Sequence, residues 1–304
     1  MNNKDLGVRY FSIEDYVNNI KVSDKVIDHL LYVEEEFIEY IKKLFSYNVD
    51  YITKYWIYLL YDELKSTNRI ENLHLINFRE INSDLLSNNC TITHKRIHQL
   101  HDFAVAGDNK DGCKYRDVAV NVSSFDKNGN EQIYYRAVNN QDVNKFMDDF
   151  VKVYNYTANS TINDSSFLKS ALLHLLFVKI HPYLDGNGRT ARIIHNLKFT
   201  SSLGKYHGIS LKLSPINLSR SLNLNKITYF NQLNLVKFDG ITDDNDAINR
   251  WFEFILNMCE EQIYMCSERL DRIDRDFISR MDNLQQQLNG VNPKDTGIKA
   301  LKKY

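Results

Sequence analysis

Within twelve residues, His181-Pro182-Tyr183-Leu184-Asp185-Gly186-Asn187-Gly188-Arg189-Thr190-Ala191-Arg192, the chain sets a candidate base, a carboxylate, a glycine-rich turn and two arginines. Histidine takes a proton near neutral pH, and Asp185 is the type of ligand that holds Mg²⁺ alongside phosphate oxygens. Gly186-Asn187-Gly188 can adopt the positive-φ conformations that turn backbone N–H groups inward. The apolar run Ile193, Ile194, Leu197 predicts a helix starting just behind them. An anion site at a helix N-terminus follows. Arg189 and Arg192 are three apart, so they share a face of that helix and can clamp one polyphosphate from the same side. The chemistry is that of a nucleotide-phosphate site with its own base. A helix-turn-helix corner with surface arginines is the blander account, but it has no use for His181, Asp185 and two spaced arginines together.

The elements that must position these residues are mostly helical. Phe167 to Ile180 is apolar nearly all round, as expected of a helix buried on every side, and Pro182 ends it at His181. Ser23-Asp24 opens a long amphipathic helix whose apolar positions run from Val26 to Phe45, with Glu34, Glu35 and Glu36 on its outer face. Asp50 to Leu64 predicts a second helix, its stripe of Tyr51, Tyr55, Trp56, Tyr58 and Tyr61 belonging to the core. After it, Thr67 or Asn68 is expected to cap a new helix, with Glu71 completing a capping box. His94, His98 and His101 recur at helical spacing. A metal there would need a further ligand such as Cys90 or Asp102, and a solvated polar helix carrying Lys95 and Arg96 is the preferred reading. The β signal is confined to one hairpin, with Val118, Val120 and Val122 alternating, Asn128-Gly129 as the turn, and Gln132 to Val138 returning. Val143 to Tyr154 predicts a helix, Thr157 to Ser166 a loop, and Ala247 to Arg275 a long helix.

Composition bounds the rest. The 304 residues are 43% hydrophobic and 25% charged, enough for one large domain or one domain with a smaller helical lobe. Eleven Gly and three Pro favour long helices over a turn-rich β fold. A net charge of -1 gives no support for general nucleic-acid binding. The opening residues lack an apolar signal region and no run has the length of a membrane span, so the expectation is a soluble, cytoplasmic protein. Cys90, Cys113, Cys259 and Cys266 show no disulfide pattern.

The run from His181 to Arg192 resembles the His-Pro-Phe-x-Asp/Glu-Gly-Asn-Gly-Arg-x-x-Arg motif of the Fic family, with Tyr183 in place of the usual Phe. The resemblance implies an all-α Fic-fold helical bundle with a small β-hairpin flap. It implies transfer of AMP from ATP, with Mg²⁺, to a Ser, Thr or Tyr hydroxyl of a target protein. By position, His181 would be the base, Asp185 the Mg²⁺ ligand, Gly186, Asn187 and Gly188 the anion hole, and Arg189 and Arg192 the phosphate clamp. Thr67-x-x-x-Glu71-Asn72 resembles the family's inhibitory motif, in which Glu71 would pair with Arg192 and take the place of the γ-phosphate. Gln132, Ile133, Tyr134 and Tyr135 would form the flap strand on which an extended target segment docks, and Tyr229 resembles an aromatic lying near the nucleoside. Gly188 stands where relatives that phosphorylate have Lys.

On this reading residues 1–90 are an N-terminal helical region with the inhibitory helix around 67–72, 91–275 the catalytic core, and 276–304 a C-terminal tail. Relatives often form homodimers. Other readings of the same site are removal of AMP with help from Glu71, use of a different nucleotide or diphosphate donor, and a regulatory module that senses nucleotide.

Overall fold

The computed structural model describes residues 8–71, 91–105, 114–125, 131–206, 213–238 and 245–271. Among them the chain is all-α with one small hairpin. The helices are α1 (Ile13–Asn18), α2 (Asp24–Phe45), α3 (Val49–Ile70), α4 (His94–Ala104), α5 (Val143–Asn155), α6 (Ser160–Asn163), α7 (Ser166–Ile180), α8 (Asn187–Tyr206), α9 (Leu218–Leu224), α10 (Lys226–Leu235) and α11 (Asn245–Asp271). Small polar side chains start the long ones: Ser23, Asn48, Thr93 and Ser165 each accept a backbone N–H of the first turn of α2, α3, α4 and α7.

Helix α7 is the axis of the molecule, and every one of its fifteen residues is buried. Helix α8 packs along it, α5 and α11 flank it, and α2 lies against α11. Phe37 of α2, Phe167 of α7 and Phe199 of α8 meet edge-on with centroids 4.9–5.7 Å apart, and Trp251 of α11 donates its indole N–H to the Ala171 carbonyl at 2.9 Å. Burying rings of this size contributes about 1.5–3 kcal/mol each, so the packing around α7 fixes where its C-terminal end points.

Strands β1 (Asn121–Phe125) and β2 (Glu131–Arg136) pair antiparallel, with Asn121 opposite Arg136 and an irregularity between Val122 and Ser123. The first strand starts later than the alternation of Val118 and Val120 predicts. Arg116 takes the Val118 carbonyl at 2.7 Å, which draws that stretch toward the helical body and out of the ladder. Beyond β2, Val138 forms a parallel bridge with Val8.

Two other expectations change. Helix α3 runs on to Ile70, so Thr67 lies in its last turn and caps no new helix, and Glu71 is its C-cap. Ser66, Thr67 and Ile70 are buried there, which holds the turn helical beyond Leu64. The stretch from Thr157 to Ser166 is not all loop, because Asn159 caps the short α6 by accepting the Ile162 N–H. Asn72, Cys90, Cys113, the Asn128-Gly129 turn and the tail 276–304 lie outside the described residues. Among the described residues no helix is long and apolar enough to cross a membrane.

Candidate active site

His181 is the residue at which α7 stops, with φ 53° and ψ 62°, the left-handed region. Pro182 disfavours a helical conformation for the residue before it, and a non-glycine residue held there costs on the order of 1–3 kcal/mol. Three backbone bonds hold it. The His181 N–H donates to the Phe177 carbonyl at 3.0 Å, its carbonyl accepts Arg116 Nε at 2.7 Å, and the Pro182 carbonyl accepts the Arg116 N–H at 2.8 Å. The imidazole Nδ1 lies 3.3 Å from the Val178 carbonyl. In the tautomer that donates there, Nε2 carries the free lone pair. Burial pushes the His181 pKa down to about 4, with nearby Arg116 acting in the same direction, so the ring is neutral at pH 7.

The motif loop is folded by its own side chains. Asn187 accepts the Tyr183 N–H at 2.9 Å and donates to the Tyr183 carbonyl at 2.8 Å, so its amide braces the loop and is already committed. Gly186 has φ +76°, and a Cβ there would strike Val105 and crowd His101. Both facts require glycine.

Beneath the loop lie the three histidines of α4. His101 stacks on Tyr183 with centroids 3.6 Å apart, and its Nε2 meets the Asp185 carbonyl at 2.9 Å. His98 Nδ1 lies 2.8 Å from the Tyr183 hydroxyl, and His94 Nδ1 lies 2.9 Å from that of Tyr115. This corrects the solvated-helix expectation: the residues support the motif loop, and burial lowers the pKa of His98 and His101. The hydroxyl that distinguishes Tyr183 from Phe has its partner in His98. Among the described residues no group of three or more His, Cys, Asp or Glu could hold a metal ion.

The two arginines face different partners. Arg189 donates to the Ala104 carbonyl and to Asp185 Oδ2, both at 3.0 Å, while Asp185 Oδ1 accepts the Gly186 N–H at 2.6 Å. Asp185 remains open to solvent, and each of its oxygens keeps a further lone pair. Arg192 is buried, and its Nε donates to the Thr67 hydroxyl at 2.6 Å. Its second terminal nitrogen donates to the Thr67 carbonyl at 3.1 Å and to Glu71 Oε1 at 2.8 Å. The same Glu71 oxygen lies so close to Gly188 that a Cβ there would strike it, so a carboxylate of the chain itself sits at the start of α8. The positive end of a helix favours an anion at that place.

Other sequence-predicted residues are placed differently. Tyr229 on α10 is buried, its hydroxyl 2.9 Å from His174 Nε2 and its ring packed near Trp251 and Phe254. That position is buried, and the hydroxyl also interacts with Arg192, which puts Tyr229 beside the Glu71–Arg192 contact. The backbone of Gln132 to Tyr135 lies in β2. The side chain of Tyr135 turns inward, away from any docking target: its hydroxyl donates to the Val178 carbonyl at 2.9 Å and lies 3.5 Å from His181 Nδ1. The ammonium of Lys179 stands 4.3 Å from the centre of the Tyr135 ring. The part played by Arg116 has one signal in the sequence, the Tyr115-Arg116 pair flanking the hairpin.

Residues 91–198 match the model of the Fic/DOC family. Over this stretch the chain is similar to Fic proteins. The fold agrees with solved Fic structures. A Fic domain-containing signaling protein from Bacteroides thetaiotaomicron is 16% identical with a TM-score of 0.52, the match covering 81% of this chain and 98% of that one. A Fic family protein from Desulfovibrio desulfuricans is 15% identical with a TM-score of 0.55, covering 90% and 86%. At these identities the likeness is one of fold. Fic-domain proteins commonly transfer AMP or similar groups to proteins, using ATP, generally with Mg²⁺.

Proposed function

We propose that this chain is an autoinhibited protein adenylyltransferase, moving AMP from ATP to a Ser, Thr or Tyr hydroxyl of a target protein or of itself. The observation that carries the reading is the contact of Glu71 with Arg192 above Gly188, in the same turn that His181 precedes. Arg192 cannot serve a carboxylate and a triphosphate at once. With Glu71 moved aside, Arg192 and the first N–H groups of α8 would receive the outer phosphates, and Arg189 the inner ones. His181 Nε2 would take the proton of the attacking hydroxyl. The hydroxyl oxygen bonds to the α-phosphorus, the bond to the oxygen bridging the α- and β-phosphates breaks, and diphosphate leaves.

Asp185 suits Mg²⁺, because its carboxylate is exposed and keeps lone pairs beyond those given to Gly186 and Arg189. Bound there, Mg²⁺ would offset phosphate charge. The open edge of β2 would take an extended target segment by backbone pairing. In this reading the end of α3 is the regulatory part of an N-terminal region reaching to residue 90, and 91–275 form the catalytic core. A second reading, removal of AMP from a modified protein, draws support from Glu71 itself, whose side chain is one-third exposed and so placed to align a water.

Wild type, Glu71→Gly and Glu71→Gly/His181→Ala incubated with MgATP and weighed by intact mass test the proposal. Added AMP on the protein or on a lysate protein with Glu71→Gly, and none with the double variant, is the expected result. No labelling in any of the three would reject it in favour of AMP removal or nucleotide sensing.

A further inference from the structure

Buried arginines ordinarily face a carboxylate, whereas Arg116 gives its side-chain donors to backbone carbonyls of two separate elements. Nε donates to His181 O at 2.7 Å, one terminal nitrogen to Val118 O at 2.7 Å, and the other to Val138 O at 2.6 Å and Ile180 O at 3.3 Å. Val118 and Val138 are the roots of the two sides of the hairpin, just outside β1 and β2. Ile180 and His181 carry the last carbonyls of α7, where a helix lacks internal donors and its dipole favours a cation. The Arg116 backbone N–H adds a bond to Pro182 O at 2.8 Å. One planar guanidinium therefore fixes the distance between the flap and the residue proposed as the base.

We propose that Arg116 is a positioning residue, which holds His181 in its left-handed conformation and sets the flap above it. What His181 does chemically rests on the adenylyltransferase reading; its placement does not. Two further contacts act along the same line. Tyr135 of β2 donates to Val178 O, the carbonyl that also faces His181 Nδ1, and Lys179 lies over the Tyr135 ring. A flap shifted by an ångström would move Tyr135 against the imidazole, and a misplacement of that size costs about 10²-fold in rate. Lysine is a poor substitute, since its three donors on a flexible stem cannot span four carbonyls held in a plane by a rigid fork. The groups bearing on the His181 ring are Arg116, Glu71 and Asp185, with Tyr135 beside it, and Arg116 works against its protonation.

The test uses Arg116→Lys and Arg116→Met in the Glu71→Gly full-length chain, with two readouts. The first is kcat and KM for ATP in target or self-labelling. Both variants should lose about 10²-fold in kcat while KM stays within about twofold. The second, independent of activity, is the imidazole titration of His181 followed by NMR. The His181 pKa should rise in Arg116→Met, which removes the cation, and shift less in Arg116→Lys, which keeps it. Full activity in Arg116→Lys, a loss carried by KM alone, or an unchanged His181 titration in Arg116→Met would each overturn the proposal. Melting temperature and calorimetric ATP binding check folding, and if Arg116→Met does not fold, Arg116→Lys decides on the kcat arm. A Glu71→Gly parent with no transfer at all would sink the adenylyltransferase reading, and the titration would still decide the placement.

Discussion

The two ends that meet at the start of α8 are built differently. On one side, α7 stops at His181 in a knot of backbone bonds: Arg116 to four carbonyls, Asn187 to both polar groups of Tyr183, and His101 to Asp185. On the other, the last turn of α3 is attached to Arg192 by the hydroxyl and carbonyl of Thr67 and by one carboxylate that is one-third exposed, Glu71. The first set ends on backbone groups of the site itself and has one arrangement, whereas the carboxylate on Arg192 can be exchanged for a phosphate. With His181 as the proposed base and Glu71 as the proposed inhibitor, the first is permanent in the fold and the second replaceable, which is what a switch at this place requires.

The strongest way to break the fixed side is His181→Ala, which in the Glu71→Gly chain should lower the transfer rate about 10²–10⁴-fold with the fold intact, read by labelling and by melting. On the replaceable side, Glu71→Gly should tighten ATP binding by about 10–100-fold, the range of an ordinary coupling between competing ligands, measured by calorimetry. It should also lower the melting temperature without nucleotide, since Arg192 is left buried without its carboxylate, and MgATP should restore it.

Acid next separates the two sides. His181 and His195 are neutral in the fold, burial pushing their pKa values down from 6.5 to about 4 and about 3. The unfolded chain takes up those protons below pH 6.5 while the folded chain does not. Stability is therefore full above pH 6.5 and falls as pH drops toward 4 and then 3, by on the order of a few kcal/mol in denaturant titrations. Thr67→Val is a smaller probe: with one bond to Arg192 removed, ATP should bind about fivefold more tightly than to wild type. Tyr183→Phe should cost about 1 kcal/mol through its bond to His98, with transfer activity unchanged.

Much of the motif loop was legible because its residue types are local: a proline after a buried helix, two glycines at a turn and arginines one helical turn apart all lie within twelve residues. The all-α architecture followed from apolar periodicity in the same way. What stayed hidden depends on partners distant in sequence. Thr67 has the residue type of a helix cap, and only the packing of α3 against α8 turns its hydroxyl to Arg192. The spacing of His94, His98 and His101 could not reveal that Tyr115 and Tyr183 pack beside them. Tyr229 is a further case, since only the fold brings its hydroxyl to both His174 and Arg192.

The Val8 bridge bears on the order of assembly. Val8 donates to the Ala137 carbonyl at 3.3 Å and accepts from Asn139 at 2.8 Å, while Tyr10 and the N–H of Ile13 bond to Asp149. These pairings join positions as far apart as 139 in sequence. During synthesis the start of the chain must wait until α5 has emerged before it can dock, so the root of the flap is completed late. Such distant closures slow folding, and a slow phase that vanishes on removing residues 1–12 would be their kinetic mark.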